Sequence, residues 1–422
     1  MKHLLLFLFI SSFSYSQTWQ SVPNLPENTN GTRFDDVFFL NENLGWALNG
    51  YAARAYKTTD GGLNWTLQVT QGDLGGSFYF RNIEFLDANI GFIGTINNSF
   101  FKTVDGGDNW SRVDAITPYP AAICGINAVQ GTSTIYACGA YFSPAYIIKS
   151  IDSGLTWSST DMSAYANTLV ELKFVDENIG YAAGSSTNGA NVLKTIDGGL
   201  NWTEVYNSNI IGEYIWKLQF VENNPNIIYG SLYATGTNPG KLVKSFDAGL
   251  TWVALDAPET DIQAVGFISQ TKGWMGGHNT GFFETIDGGT TWTDISTGGN
   301  LNRIMVLSPT KAYASGSTIY KYTTESLGTE DINDLRNELA IKLNSNPVQN
   351  NLELSIDFRA ADKMVIELYN TNGKYLKLLS RDHISNSGIK EYKFNVSELS
   401  SGSYIVTFHS NTGRSSKKFI KS

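Results

Sequence analysis

The segment Lys57-Thr-Thr-Asp60-Gly-Gly-Leu-Asn-Trp65 decides the fold, because five further segments repeat its pattern. In every copy a Gly lies two residues after an Asp, and a Trp lies five residues after it. The six pairs are Asp60/Trp65, Asp105/Trp110, Asp152/Trp157, Asp197/Trp202, Asp247/Trp252 and Asp287/Trp292. Successive Asp residues are 45, 47, 45, 50 and 40 positions apart. A period of about 40–50 residues with a fixed turn motif is typical of a β-propeller with four strands in each blade.

Six motifs leave a seventh blade to be identified. Residues Ile304–Tyr313 repeat the strand–turn–aromatic pattern that precedes the other motifs, but no Asp–Trp motif follows them. Thr18-Trp19-Gln20 matches the end of a motif, and Trp19 lies 46 residues before Trp65. We therefore predict an all-β chain with seven blades within residues 17–324. The N-terminal strand should complete the last blade, which would remove two exposed sheet edges.

The repeated segments resemble the Asp box of sialidase-type propellers, and the whole pattern resembles photosystem II stability/assembly factor-like propellers. The resemblance implies the fold, not photosynthesis. We expect each Asp to accept hydrogen bonds from turn N–H groups and Gly to supply positive φ angles. Each Trp should pack against its hairpin and anchor it to the next blade. A calcium loop is the functional alternative, but its alternating ligands are missing, so no metal or other cofactor is expected.

Both ends of the chain carry targeting patterns. A basic start, the apolar run Leu4–Ile10 and small residues before Gln17 predict a signal peptide over residues 1–16. No later run approaches ~20 apolar residues, so no transmembrane segment is expected. Residues 325–337 are polar and are interpreted as a linker. Residues 338–422 alternate apolar and polar positions between turns, which predicts a small Ig-like β-sandwich.

The order of motifs in residues 338–422, from Asn346-Pro347 to Lys417-Lys-Phe-Ile-Lys421, resembles the C-terminal sorting domain of type IX secretion substrates. The resemblance implies the type IX secretion machinery as a partner, passage across the outer membrane and removal of the tail. The protein would then be attached to the cell surface or released into the medium. A generic adhesive β-domain is the alternative interpretation.

Composition argues against several functions. Residues 1–341 carry a net charge of −14 and residues 342–422 a net charge of +5, and an acidic body repels the phosphates of nucleic acid. His278 is the one histidine between the leader and the tail, too few for a Ser–His pair or a His-rich zinc site. Cys124 and Cys138 flank a predicted hairpin turn near residue 131, which would set them opposite each other and within disulfide range. Two buried thiols are the alternative.

Ligands of propellers usually meet the face formed by the loops that enter the innermost strands. Alignment of the repeats gives one equivalent residue at the start of each innermost strand: Asp35, Arg81, Cys124, Val170, Trp216, Gln263 and Asn302. The residues that follow them are Asp36, Asn82, Gly125, Glu171, Lys217, Ala264 and Arg303. From these sets we predict an exposed binding mouth of Arg81, Trp216 and Arg303, with Tyr79 and Tyr214 nearby. Their types match those that dominate recognition hot spots.

Two functions compete on this evidence: a non-catalytic propeller that binds a glycan or protein, and a sialidase-like or other glycoside hydrolase. A sialidase needs three Arg residues that clamp a carboxylate, and the body offers no Arg-Ile-Pro motif to mark such a set. Paired carboxylates could still hydrolyse glycosides. Asp35, Asp36, Glu171 and Asp261 are the candidates, but nothing in their spacing selects a pair. The sequence therefore favours binding.

Overall fold

The computed structural model describes residues 17–26, 32–139, 144–323, 340–358, 362–370, 375–384, 386–410 and 413–422. The predicted signal peptide and linker lie outside these ranges. The chain divides into two compact units near residue 327. Within the described ranges, no helical segment has the length and hydrophobicity needed to cross a membrane.

The first unit consists of seven antiparallel sheets of four strands each, which confirms the predicted propeller architecture. We number the blades in chain order and give their strands from the innermost outward. Blade 1 contains Phe34–Phe39, Gly45–Asn49, Arg54–Thr58 and Thr66–Thr70. Blade 2 contains Phe80–Phe85, Gly91–Thr95, Phe100–Thr103 and Ser111–Arg112. Blade 3 contains Gly125–Ala128, Ile135–Gly139, Tyr146–Ser150 and Ser158–Asp161.

The remaining blades follow the same order. Blade 4 contains Thr168–Phe174, Gly180–Ser186, Gly189–Thr195 and Thr203–Asn207. Blade 5 contains Tyr214–Phe220, Ile228–Tyr233, Lys241–Ser245 and Val253–Asp256, with a 3-10 turn at Val221–Asn223. Blade 6 contains Ile262–Phe267, Gly273–Gly277, Phe283–Thr285 and Thr293–Asp294. Blade 7 contains Arg303–Ser308, Lys311–Ser315, Ile319–Thr323 and, outermost, Thr18–Ser21.

Blade 7 joins the two ends of the propeller, as predicted. Its outermost strand pairs antiparallel with Ile319–Thr323, and Trp19 lies opposite Tyr322. Trp19 stacks on Phe282 of blade 6 with ring centroids 4.2 Å apart. The innermost strand of each blade contacts that of the next, and the innermost strand of blade 7 contacts that of blade 1. The sheets therefore form a closed ring around a central channel.

The Asp boxes form one hydrogen-bonded turn that recurs in six blades. In blade 4, Asp197 Oδ1 accepts from Thr195 Oγ1 at 2.8 Å and from Asn201 N at 2.9 Å, and its Oδ2 accepts from Asn201 Nδ2 at 2.8 Å. The same bonds, with Asn or Thr in the fourth place after Asp, form around Asp60, Asp105, Asp152, Asp247 and Asp287. The Gly two residues after each Asp has φ between 78° and 104°, a conformation that suits Gly.

These bonds also account for the acidity of the box carboxyl groups. Hydrogen bonds from the Asn201 side chain, the Asn201 N–H group and the Thr195 hydroxyl lower the pKa of Asp197 to about 2. The carboxylate oxygens are thus occupied by groups of their own turn. This geometry supports the structural role that we predicted for the boxes.

The box tryptophans lie at the joint with the preceding blade, so the prediction that they anchor each hairpin to the next blade was wrong. Four of them meet, edge-on, the Phe that ends the innermost strand of their own blade. These pairs are Trp65–Phe39, Trp110–Phe85, Trp202–Phe174 and Trp292–Phe267, with ring centroids 6.1, 6.0, 6.2 and 6.4 Å apart. Each Phe in turn contacts a second-strand aromatic ring of the preceding blade, which is Tyr313, Trp46, Tyr136 or Tyr229, respectively.

The other two box tryptophans contact the preceding blade directly. Trp157 of blade 3 meets Phe92 and Phe100 of blade 2 edge-on, with centroids 5.7 and 5.2 Å away. Trp252 of blade 5 likewise lies 5.6 Å from Tyr206 of blade 4. The box tryptophans face the preceding blade because the hairpin between the third and fourth strands lies over the sheet of that blade. Contacts in the forward direction come instead from the aromatic residue of the second strand.

The box tryptophans also differ in how their indole N–H groups are satisfied. In four boxes this group donates to the carbonyl of the Gly three residues earlier, at 2.9–3.2 Å; these are Trp65, Trp110, Trp202 and Trp252. Among the described residues, Trp157 and Trp292 have no acceptor for their buried Nε1. Their rings therefore hold the joint by packing alone.

The second-strand aromatics donate hydrogen bonds to the box turn of the following blade. Tyr181 Oη of blade 4 donates to Ala248 O at 3.0 Å, and Trp46 Nε1 of blade 1 donates to Gly106 O at 3.2 Å. Tyr313 Oη of blade 7 donates to Gly61 O of blade 1 at 2.9 Å, across the closure. Each of these boxes is therefore a joint between two blades.

Substitution Asp197→Ala should lower the melting temperature of the propeller by ~2–6 °C, because several turn donors lose their acceptor. All ten tryptophans lie between residues 19 and 292, so tryptophan fluorescence follows this unit alone. Leu200→Ala in the same turn is the matched control, since Leu200 is 81% exposed. A melting temperature that rises on calcium addition only when Asp197 is present would contradict the structural role.

The second unit is a small β-sandwich, as predicted. One sheet contains Ala340–Leu343, Asn351–Phe358 and Gly388–Asn395. The other contains, in spatial order, Tyr375–Ile384, Asp362–Asn370, Gly402–Ser410 and Gly413–Lys421. Alternate residues Leu352, Leu354 and Ile356 of the first sheet share a buried core with Ile366 and Phe408 of the second. This alternation is the pattern of a sheet that buries one face.

Candidate functional site at the channel mouth

The predicted mouth is formed by a β-bulge at the same place in five of the seven blades. In blade 1 the pairing moves from Phe34–Asn49 to Asp36–Leu48, so that Asp35 is the extra residue. Blades 2, 4, 5 and 6 shift in the same way at Arg81, Val170, Trp216 and Gln263. In blades 3 and 7 two successive residues face one partner, which is Cys138 or Ser315. Because a bulge re-aims side chains, both aligned sets of residues meet around the channel.

Asp35 is the centre of a hydrogen-bonded cluster at the entrance. Both of its carboxylate oxygens accept from Tyr79 Oη at 3.0 Å, and Oδ2 also accepts from Gly50 N at 3.1 Å. The guanidinium groups of Arg33 and Arg81 each lie 3.3 Å from Oδ1. A Cβ atom at Gly50 would lie 2.1 Å from Asp35 Oδ2, so only Gly allows this close approach. Burial and the charge of Asp35 raise the pKa of Tyr79 to about 12.

Arg81 and Trp216 meet across the channel, from blades 2 and 5. The Arg81 guanidinium lies 4.9 Å from the centroid of the Trp216 ring, a cation–π contact. Trp216 Nε1 donates to Asn302 Oδ1 of blade 7 at 2.8 Å, and Asn302 Nδ2 donates to Asp35 O of blade 1. Side chains of four blades are therefore linked in one network at the entrance.

Below this network lies a second layer in which four charged side chains form ion pairs. Arg303 pairs with Asp36 through Nε and with Glu171 Oε2 through Nη2, the latter at 3.2 Å. Lys217 Nζ lies 3.3 Å from the same Glu171 oxygen. Burial lowers the pKa of Lys217 to about 8, although Glu171 opposes this. Burial alone would lower the pKa of Arg303, but Asp36 and Glu171 raise it. We call Asp36, Glu171, Lys217 and Arg303 the charged layer.

The structure corrects the predicted exposure of the mouth residues. Arg81 and Trp216 are each 6% exposed and Arg303 is 8% exposed, because they fill a narrow channel and pair with one another. Arg303 moreover belongs to the charged layer, one position deeper than Arg81 and Trp216. Arg81 and Trp216 contact each other, but the prediction was wrong to treat the three residues as an open surface.

What remains accessible is a rim around the plugged channel. Tyr79 and Tyr214 are half-buried there. Tyr214 stacks on Tyr233 with ring centroids 4.8 Å apart and lies 5.3 Å from Trp216. The loop before Tyr214 exposes Ile211 by 79%. We call Tyr214, Tyr233 and Ile211 the blade 5 rim.

A polar cavity lies beside the blade 5 rim, on the same face of blade 4. Its volume is about 270 Å³. Its walls are formed by Ser163–Asn167, residues 186–188 and Glu204. Glu204 Oε2 accepts from Asn207 Nδ2 at 3.0 Å. The entrance face thus combines exposed apolar groups with an adjacent polar recess.

The carboxylates considered for hydrolysis are engaged elsewhere. Asp35, Asp36 and Glu171 are buried in the ion pairs described above. Asp261 Oδ2 accepts from Asn279 Nδ2 at 2.8 Å. His278 lies exposed in a turn of blade 6. In the described part of the chain, no group of three or more His, Cys, Asp or Glu side chains is arranged to hold a metal ion.

The predicted disulfide is not formed: Cys124 and Cys138 are free, buried thiols. In blade 3, Gly125 pairs with Cys138, while Cys124 N donates to Cys138 O at 2.8 Å. Cys124 packs with Val170, while Cys138 belongs to the core between blades 3 and 4. Burial raises the pKa of both thiols.

Sequence reasoning missed two members of the entrance network. Arg33 lies before the innermost strand of blade 1, and its Nη1 donates to Gln263 Oε1 at 2.6 Å and to Asn300 Oδ1 at 3.0 Å. Tyr233 stacks on Tyr214 from the second strand of blade 5. Neither position belongs to the aligned sets. An Arg two residues before a predicted channel Asp was the one available signal.

Fold and site together define a seven-bladed Asp-box propeller joined to a small β-sandwich. Residues 12–161 match the family model of the photosynthesis system II assembly factor YCF48, and residues 345–422 match that of the secretion system C-terminal sorting domain. The chain therefore combines a YCF48-like β-propeller with a type IX secretion sorting domain. That domain indicates export to the cell surface or the extracellular space.

Two solved structures show the same fold. A structure of YCF48 bound to a D1 peptide is 20% identical, with a TM-score of 0.55, over 73% of this chain and 97% of that one. YCF48 from Cyanidioschyzon merolae is 19% identical, with a TM-score of 0.57, over 73% and 99% of the two chains. Comparison with curated protein sequences finds no significant match.

Proposed function

We propose that this protein is an exported, non-catalytic binding module whose entrance face holds an extended segment of another protein. The observation that carries the proposal is the blade 5 rim, where the stacked rings of Tyr214 and Tyr233 follow a loop that exposes Ile211 by 79%. Exposed apolar groups that cluster beside a polar recess are typical of recognition surfaces. The similar YCF48 structure with a D1 peptide makes a peptide the first ligand class to test.

The buried part of the mouth would serve this rim as a rigid support. Arg81 lies on the Trp216 ring, and Trp216 in turn lies beside Tyr214. Rings held in this way lose little conformational entropy when a ligand packs against them. The engaged carboxylates and the lack of an assembled acid pair among the described residues favour binding over glycoside hydrolysis.

Peptides selected from a random library on the purified protein should bind about tenfold or more weakly, a loss of about 1.4 kcal/mol or more, after Tyr214→Ala. Ile211→Ser should also weaken the binding of these peptides. Isothermal titration calorimetry measures the affinity, and Leu200→Ala on the opposite, Asp-box face is the control. A glycan array run in parallel tests the other ligand class, and turnover of sialosides or β-glycosides tests hydrolysis. Peptide binding that is unchanged by both rim variants would exclude the proposed site.

A further inference from the structure

The Asp-box end of the channel holds a second cavity, separated from the mouth by the charged layer. Its volume is about 190 Å³. Apolar side chains form much of its wall, including Val37, Phe38, Leu218, Ile304 and Met305. Glu84 of blade 2 and Lys173 of blade 4 also line it. We call this space the lower cavity.

Glu84 and Lys173 occupy one equivalent position of the innermost strands, two residues beyond the charged layer. The seven residues at this position are Phe38, Glu84, Asn127, Lys173, Gln219, Gly266 and Met305. The two amides brace neighbouring blades: Asn127 Oδ1 accepts from Phe174 N at 2.7 Å, and Gln219 Oε1 accepts from Phe267 N at 2.7 Å. Glu84 makes the equivalent bond only at 3.4 Å, from Ala128 N of blade 3. Because the neutral amides of Asn127 and Gln219 form the same brace, the architecture does not require a charge at Glu84 or Lys173.

The Glu84 carboxyl group is buried with incomplete partners. It is 6% exposed, and its Oε1 accepts only long bonds, from Ala128 N at 3.4 Å and Asn127 Nδ2 at 3.5 Å. Among the described residues, no hydrogen bond reaches Glu84 Oε2 or the Lys173 ammonium group. Burial raises the pKa of Glu84 to about 7, although Lys173 and Arg303 oppose this. Lys173 is half-buried, and a carboxylate that accepts only long hydrogen bonds gains from a stronger donor that a ligand supplies.

We propose that the lower cavity binds a free α-amino acid with an apolar side chain. Its ammonium group would pair with Glu84, its carboxylate with Lys173, and its side chain would pack against Leu218 and Ile304. Arg303 does not select the charge of the ligand, because Asp36 and Glu171 already neutralise it. A ligand with a single charge could pair with only one of these two groups, so it would gain fewer charge-assisted hydrogen bonds.

Isothermal titration calorimetry on the full chain tests this with L-phenylalanine and L-leucine as probes. Phenethylamine lacks the carboxylate and 3-phenylpropanoate lacks the amine, so each should bind about tenfold or more weakly than L-phenylalanine. Glu84→Gln and Lys173→Met should each weaken the binding of L-phenylalanine by a similar factor. Glu42→Gln is the control, because Glu42 is an exposed carboxylate paired with Lys311 on the surface.

A cavity-filling variant keeps the test decisive if a charge variant changes stability. Val306 lines the lower cavity, so Val306→Phe should block binding while tryptophan fluorescence still reports a folded propeller. The proposal fails if neither amino acid binds, if Val306→Phe binds as well as the unaltered protein, or if the single-charge analogues bind equally well.

Discussion

Removal of residues 345–422 should abolish the appearance of the propeller outside the cell. These residues match the secretion system C-terminal sorting domain, which is the address for the outer-membrane step. All 28 strands of the propeller lie outside the deleted segment. The truncated protein should therefore fold normally and remain inside the outer membrane. Cell fractionation with immunoblotting of cells, surface fraction and medium measures the result.

Two controls separate a sorting defect from a folding defect. The truncated protein should show the same tryptophan-fluorescence melt as the full chain, because every tryptophan lies in the propeller. Asp197→Ala in the full chain should still be exported. Intact-mass analysis of the exported protein should show loss of residues 1–16 and of a tail beginning near residues 325–345. Truncated protein in the medium at the level of the full chain would contradict the sorting role.

Substitution Arg303→Met should destabilise the propeller by about 3–5 kcal/mol. Removing one partner of a buried ion pair leaves the other charge without compensation. Here Asp36 would lose the cation that pairs with its Oδ1, while Glu171 would keep Lys217 alone. Met has a similar length and is apolar, so the cost comes mainly from the stranded carboxylates and not from a void.

Urea denaturation followed by tryptophan fluorescence measures this loss without a contribution from the sorting domain. Arg112→Met is the matched control, because its side chain is 46% exposed and its partner Asp114 is 76% exposed; a surface pair contributes only about 0–1 kcal/mol. Adding Asp36→Asn to Arg303→Met should restore part of the stability, since the amide can still accept from Ile83 N. If Arg303→Met is as stable as the unaltered protein, the ion pairs of the charged layer do not stabilise the propeller.

Within the candidate site, the residues that gather at the channel were predictable and their environment was not. Alignment of the repeats placed Arg81 and Trp216 at one level, since every blade enters the ring in the same register. Nothing local indicated that their side chains would stack on each other across the channel at 4.9 Å. The register that sets Gly125, and not Cys124, opposite Cys138 was also not visible.

The box tryptophans show the same division between local and tertiary information. The repeat identified Trp110, Trp202 and Trp292 as buried anchors of their hairpins, because each follows its turn at a fixed distance. The sequence did not indicate which neighbouring blade they would face. That direction depends on how the outer hairpin lies over the preceding sheet, where each of these rings meets a Phe that contacts an aromatic ring of the preceding blade.

The sequence by itself determined the seven blades, the turn chemistry of the Asp boxes, the closing strand that carries Trp19 and the sorting tail. Each of these depends on residue spacing within a short segment or on the repeat period. Both can be read directly from the order of residues along the chain. The tertiary structure alone decided which channel residues pair, how deeply they are buried and where the two cavities lie. These properties arise when ring closure brings side chains from distant blades into one narrow channel. There the side chains must fill the space and every buried charge must have a partner.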